Sequence, residues 1–402
     1  MKKIICSIFT VTFFSVGFAQ LGPEVTSWII NTNGSTGYNN IPSNVQQVQY
    51  STPYVYVSAT CIPGYDIGPW AGNPNIPANQ NFVFKITRTP VENTGTLTAT
   101  PNGHIGVWTN GVSIFNAKDA FSYNNQGVWN QDAIPNEGAS FDDCLGHPAP
   151  NGEYHHHLNP TCLYDDVDNS FHSPIIGYAF DGFPIYGTFA YANTNGTGAI
   201  VQMKSSYRLR NITVRNTYYD GSSVTPGPDV SASYPLGKYI EDYEYVAGLG
   251  DLDEHNGRFC ITPEYPAGIY AYFVTIDSIG DPVYPYVLGP QYYGIVTAGN
   301  TGPGSGHNVP GETVTTYTPP TSLENEFPIK TDILYPNPAT DRVNVQSSTG
   351  IENLRIYNAT GIEVMIINAG SQEIDLSALE NGVYIVKWVN NGAWYYQKLI
   401  KQ

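Results

Sequence analysis

"IGVWTNGVSIFN", residues 105–116, and "IGYAFDGFPIYG", residues 176–187, carry Ile-Gly, then Asn-Gly or Asp-Gly, then apolar-x-Ile-aromatic at identical spacing. Asn-Gly or Asp-Gly between β-type runs predicts a tight hairpin with a type I′ turn. Both segments therefore read as hairpins, and they set the fold class as all-β. Only four positions are identical, so convergence explains the likeness nearly as well as duplication. Working outward, "YVYVSAT" (54–60), "FVFKITRT" (82–89), "YRLRNITV" (207–214) and "GIYAYFVTI" (268–276) are further strands between Pro/Gly turns. Few or no long helices are expected. The architecture predicted is a large irregular β-sheet or sandwich domain over residues 20–300, followed by a smaller one.

Composition agrees. The 402 residues include 40 Gly, 30 Pro and 31 Tyr, and only 13% are charged, about half the usual share. With 17 Lys and Arg against 34 Asp and Glu, the net charge is −17. An acidic surface repels phosphate backbones, which excludes nucleic acid as a partner.

Met1-Lys2-Lys3, the mostly apolar run Ile4 to Phe18 and the small-x-small Gly17-Phe18-Ala19 read as a secretory signal peptide over residues 1–19. No later stretch is apolar for long enough to make a transmembrane helix. Loss of Lys2 and Lys3 takes the charge from −17 to −19. Cys6 leaves with the signal, so Cys61, Cys144, Cys162 and Cys260 remain. An even count in an exported chain favours disulfides over thiolate metal sites. The pairing expected is Cys144–Cys162, which brackets a histidine run, and Cys61–Cys260. The first would restrict the unfolded chain by roughly 3 kcal/mol on the entropic account.

That run lies in "FDDCLGHPAPNGEYHHHLNPTCL" (141–163), and six of the eight histidines fall between 104 and 172. Prolines and Asn-Gly leave only residues 153–158 free to extend. Alternation on a strand puts His155 and His157 on one face, with Tyr154 and His156 on the other. A His-x-His pair places two imidazoles on one metal, and imidazole-rich sites suit zinc or copper. His147 is the third ligand expected; His172 and His104 are weaker candidates, and His156 is excluded. Glu153 is a weak candidate for a general base on metal-bound water, more simply read as an exposed carboxylate at the strand start.

Other motifs carry less. Asp251, Asp253 and His255 before Gly257 evoke a calcium loop, yet the Gly is one place late and no Glu follows at the required distance. A hairpin at Asn256-Gly257 is the simpler account, so calcium remains only possible there and at "YDDVDN" (164–169). No Gly-x-Ser-x-Gly elbow, dinucleotide fingerprint or Walker loop is present. From about residue 301 to 330 the text turns rich in Gly, Pro and Thr and reads as a linker, with His307 a solvated bystander.

The segment 331–402 repeats β runs broken by Asn-Pro, Thr-Gly and Asn-Gly turns. Tyr335-Pro336-Asn337-Pro338, Asn358-Ala359-Thr360-Gly361, Asp375-Leu376-Ser377, Gly382-Val383-Tyr384 and Lys398-Leu399-Ile400 resemble the type A C-terminal sorting domain of the type IX secretion system of Bacteroidetes. That resemblance implies a small Ig-like β-sandwich address tag read by the secretion machinery, and a secreted or outer-surface location reached through the periplasm. Residues 95–295 resemble the YHYH-domain family, from "GHIGVWTNGVSIFN" through the histidine segment to "YPYVLGPQYYG". The motif falls on Tyr154-His155-His156-His157, so His156 stands where the family has its second tyrosine. Membership implies an exported β domain and carries no known activity. The function expected is metal binding at the cell surface, with hydrolytic or oxidative chemistry. The alternative is a non-catalytic adhesion module for an extracellular glycan or small molecule.

Overall fold

The two quoted segments form adjacent hairpins at the centre of an eight-stranded mixed sheet. His104–Trp108 pairs antiparallel with Ser113–Phe115, and Ile175–Ala179 with Pro184–Tyr186. Gly177↔Trp108 and Tyr178↔Val107 then join one hairpin to the other. The turns differ from the type I′ expected. Only Gly111 and Gly182 have positive φ, 82° and 91°. Trp108 N–H donates to Val112 O and Gly111 N–H to Trp108 O; Ala179, Phe183 and Gly182 repeat the pattern. These are three-residue loops with glycine at the left-handed position. Asn110 Oδ1 and Asp181 Oδ1 accept from the amide two residues on, which holds the loop open by one residue.

The computed structural model describes residues 21–319 apart from 168 and 303, and residues 334–402 apart from 346–351, 359–362, 368–372 and 391–392. The expected signal peptide and the Ala359-Thr360-Gly361 turn lie outside the described residues. Two units divide the chain, residues 1–319 and 320–402.

In the first unit the eight strands run in the order Gly257–Cys260, Ile269–Phe273, Pro184–Tyr186, Ile175–Ala179, His104–Trp108, Ser113–Phe115, Tyr154–His156 and His147–Pro148. A four-stranded sheet, Thr315–Tyr317, Val45–Tyr50, Tyr54–Ala59 and Phe82–Thr87, covers the hairpin turns. A Cβ on Gly111 would lie 2.5 Å from Ala59 Cβ, and one on Gly182 2.4 Å from Thr87 Cγ2. The sheet approaches so closely because neither turn carries a side chain there. Phe82, Phe84 and Ile86 alternate into the core between the sheets, each contributing about 2 kcal/mol by burial.

Four expectations need correction. Residues 301–319 are not a linker: Thr315–Tyr317 pairs with Val48–Tyr50, and Gly306 O accepts from Val83 N–H. Residues 320–333 lie outside the described residues. The strand expected over 207–214 stops at Leu209, because Arg210 turns inward and donates to the carbonyls of Thr217, Tyr218 and Glu241. Cys144 and Cys162 are disulfide-bonded, but Cys61 and Cys260 are separate buried thiols. Cys61 Sγ donates to Tyr154 O, seven strands in from the sheet edge that ends at Cys260. Six strand spacings amount to roughly 25–30 Å, far beyond disulfide reach. Finally, Glu153 is buried rather than exposed.

The second unit is two sheets around one apolar core. Leu334–Tyr335, Arg342–Val345 and Glu373–Asp375 form one; Glu363–Ile367, Glu352–Asn358, Gly382–Asn390 and Ala393–Lys401 form the other. Val343 and Ile374 from the first meet Leu354, Ile356 and Val386 from the second.

Candidate metal centre

The histidine segment is positioned by Asp142. Its carboxylate accepts from Gly68 N–H, Trp70 Nε1–H, Cys144 N–H, Gly146 N–H and the Tyr154 hydroxyl. Those bonds fold the 142–146 turn so that the chain returns antiparallel to Tyr154–His156, with His147 opposite His155. Ser113–Phe115 flanks the same strand in parallel, Ser113 opposite His155. Alternation does the rest. His155 and His157 share a face with His147, while His156 lies on the other, its ring centroid 5.3 Å from Tyr154 and 6.4 Å from Trp108.

His147, His155 and His157 are all buried, and one ring nitrogen from each lies within 4.8 Å of the others. Each ring is turned by a bond at Nδ1. Glu153 O accepts from His155 Nδ1–H at 3.0 Å, and Asn116 O from His157 Nδ1–H at 2.5 Å. His147 Nδ1 is hydrogen-bonded to the Ser140 hydroxyl at 2.7 Å. Phe115 stacks on His155 with centroids 3.7 Å apart. All three Nε2 atoms therefore face one point. His155 and His157 Nε2 are 3.1 Å apart, and Glu137 Oε2 lies 3.1 Å from His157 Nε2 and 3.6 Å from His147 Nε2. Buried His147 Nε2 makes no hydrogen bond. Such a set, with backbone and hydroxyl partners behind each ring, fits a borderline transition metal.

Glu137 is the member the sequence did not show. It ends the short helix Ala133–Glu137, which Asp132 caps by accepting from Ile134 N–H. Nothing local in the sequence aims the last carboxylate of this helix at a strand ten to twenty residues away. Asp119 neighbours Glu137, and the two carboxyl groups interact. Burial raises Asp119 to about 6, reinforced by the Glu137 charge. Burial also works to raise Glu137, but the His157 bond and the neighbouring imidazoles outweigh it and hold Glu137 below its ordinary value. Burial, then the neighbouring His157, lowers His147 to about 4; burial also holds His155 well below its ordinary value. These two imidazoles are neutral at neutral pH, the form that ligates metal.

The remaining candidates lie elsewhere. His172 packs against Tyr186 and Tyr191 and bonds Ser173 O. His104 Nδ1–H donates to Glu153 Oε1 at 2.9 Å, and Nε2 is hydrogen-bonded to the Ser305 hydroxyl at 3.0 Å. Ser305 Oγ also reaches Gly302 O at 2.6 Å and Asn300 O at 2.9 Å. A hydroxyl has one proton, and these carbonyls claim it, so Ser305 ties down a loop rather than attacking a substrate. Glu153 pairs through Oε1 with His104 and through its carbonyl with His155 Nδ1–H, so its carboxylate is bonded to His104 rather than to the histidine cluster. At the loop that evoked calcium, Asp253 accepts from His255 N–H, Gly257 N–H and the Tyr270 hydroxyl; His255 bonds Gln291 O.

The histidine cluster opens on a cavity of about 440 Å³ that Asp119, Glu137, Lys118 and Phe115 also line. Residues 83–282 match the family model described as YHYH protein. The chain carries a YHYH domain. Within its YHYH domain the four-residue motif divides as its geometry requires: Tyr154 and His156 toward the core, His155 and His157 toward the cavity. Residues 333–402 match the Secretion system C-terminal sorting domain. That domain implies interaction with type IX secretion machinery and export to the cell surface or beyond. Beta-agarase D of Zobellia galactanivorans is 36% identical over 77 residues, 19% of this chain. The match spans 16% of that protein's length. No helix among the described residues is long and apolar enough to cross a membrane.

Proposed function

We propose that the YHYH domain holds one transition metal ion, zinc or copper, on His147, His155 and His157, with Glu137 as the adjoining carboxylate. The observation that carries this reading is the pair of ring nitrogens at 3.1 Å. A carbonyl oxygen only accepts, so His155 and His157 must each bear a proton on Nδ1. With no second proton on either ring, both Nε2 atoms then present lone pairs to each other in a buried site. That arrangement is repulsive unless a cation lies between them. A proton shared with Glu137 is the small alternative. A divalent ion also engages His147 Nε2, which otherwise makes no hydrogen bond.

A transition ion held there supplies Lewis acidity beside an open cavity. The chain's own residues do the rest. Phe115 and the two backbone carbonyls fix the rings. The neighbouring carboxyls of Asp119 and Glu137 can hold or pass a proton at the cavity wall, which favours metal-assisted hydrolysis over oxidation. The agarase likeness covers too little of that protein to bring its activity here.

The test is metal analysis of the full chain purified without a polyhistidine tag. About one zinc or copper per chain is expected, lost in His155→Ala/His157→Ala and kept in His156→Ala. A folded protein that takes up neither ion at neutral pH would sink the reading.

A further inference from the structure

Two cavities share one wall. The first, at the histidine cluster, and a second of about 590 Å³ beside His104 and Glu153 are both lined by Asn102, Gly103 and Lys118. The charged side chains around them are few. In the first, Glu137 is paired with His157 and Asp119 accepts from Ala120 N–H; in the second, Glu153 is paired with His104. Lys118 remains, and its ammonium makes no hydrogen bond or ion pair among the described residues. The carboxylate whose charge reaches it is Glu241. Glu241 already accepts from the backbone and side-chain amides of Asn130.

Lys118 is half-buried and its backbone is fixed. Its N–H donates to Asn116 Oδ1, and it pairs with Asp132 across two short strands. A partly desolvated ammonium without a partner is costly, and burial lowers its pKa accordingly. The other polar groups on the two walls are largely carboxamides: Asn73, Asn75, Asn102, Asn136, Asn151 and Gln80. Asn73 and Asn75 are held on Pro148 O, next to His147. Carboxamides both donate and accept, which suits hydroxyl groups.

We infer that the cavity beside the metal centre binds a hydroxyl-rich anion of low charge density, such as a sugar acid or a sugar monoester, whose negative group pairs with Lys118. The net charge of −17 argues against a polyanion, which the field of the whole chain would repel. The proposal rests on the metal reading only for what lies at the histidine end; the Lys118 subsite stands on its own geometry.

The experiment is calorimetry on the zinc-treated full chain with four probes: a glucuronate disaccharide, a sulfated disaccharide, glucose 6-phosphate and neutral cellobiose. At least one anionic probe should bind ten-fold or more tightly than cellobiose, and the best of the three identifies carboxylate, sulfate or phosphate. Lys118→Met should abolish that preference and Lys118→Arg retain it, both with unchanged circular dichroism and metal content. Equal binding of cellobiose, an unchanged preference in Lys118→Met, or no binding of any probe overturns the inference. A wild-type chain that holds no metal yet shows the Lys118-dependent preference would instead sink only the metal reading.

Discussion

Glu153 stands between two histidine sites that differ in one respect. On its carboxylate side, His104 has an oxygen partner at each nitrogen, 2.9 and 3.0 Å away. On its carbonyl side, His155 joins His147 and His157 with Nε2 atoms that face one another and a single carboxylate. Both sites are buried and contain the same residue types. The closed one is a strut that ties the 299–306 loop to the sheet; the other has lone pairs to spare. Counting donors and acceptors shows which histidine nitrogens already have partners more sharply than histidine density does.

The largest expected effect tests the open site. His155→Ala/His157→Ala should weaken zinc or copper binding by three orders of magnitude or more in equilibrium dialysis, while His156→Tyr, which restores the family's tyrosine, leaves it within a few-fold. Equal affinity in all three proteins would erase the distinction between the sites.

Acid stability comes next. In the metal-free chain His147 titrates near 4, against about 6.5 when unfolded. Between those values the unfolded state binds more protons, so stability is full above about pH 6.5 and falls as the pH drops toward 4. About 3 kcal/mol from His147 alone should be lost across that window in urea titrations. His156, lowered by burial to about 3, and His155 add to it. Saturating zinc should raise the whole curve without flattening it, because the folded-state imidazole it binds is already neutral there, and a metal-free stability curve level between pH 6.5 and 4 would contradict the burial argument.

Glu137→Gln removes the charge but keeps the shape, and should weaken metal binding about 10- to 100-fold. An unchanged affinity would place Glu137 outside the site. The smallest effect belongs to the closed site: Ser305→Ala should cost about 1 kcal/mol in unfolding free energy and leave metal content alone. Loss of metal in that variant would show that the two sites act as one.

Much of this was legible in the residues. Asn110-Gly111 and Asp181-Gly182 announced the central hairpins, and strand alternation separated His155 and His157 from His156. Turn type was not legible, because Asn110 Oδ1 and Asp181 Oδ1 capture amides two residues on and favour the longer loop. The 301–319 segment read as linker because its composition is that of a linker; an edge pairing of three residues leaves no periodic signal.

By itself, the sequence determined the β class, the tail's address and which histidines share a face, since each follows from local chemistry or period-two geometry. Tertiary structure alone decided that Cys61 and Cys260 lie six strand spacings apart across an eight-stranded sheet, and that Glu153 pairs with His104. It also decided that Glu137 joins the cluster. Those outcomes depend on strand order and on a helix end folded over a sheet edge, and contacts between segments distant in the chain leave no mark on the local pattern of residues.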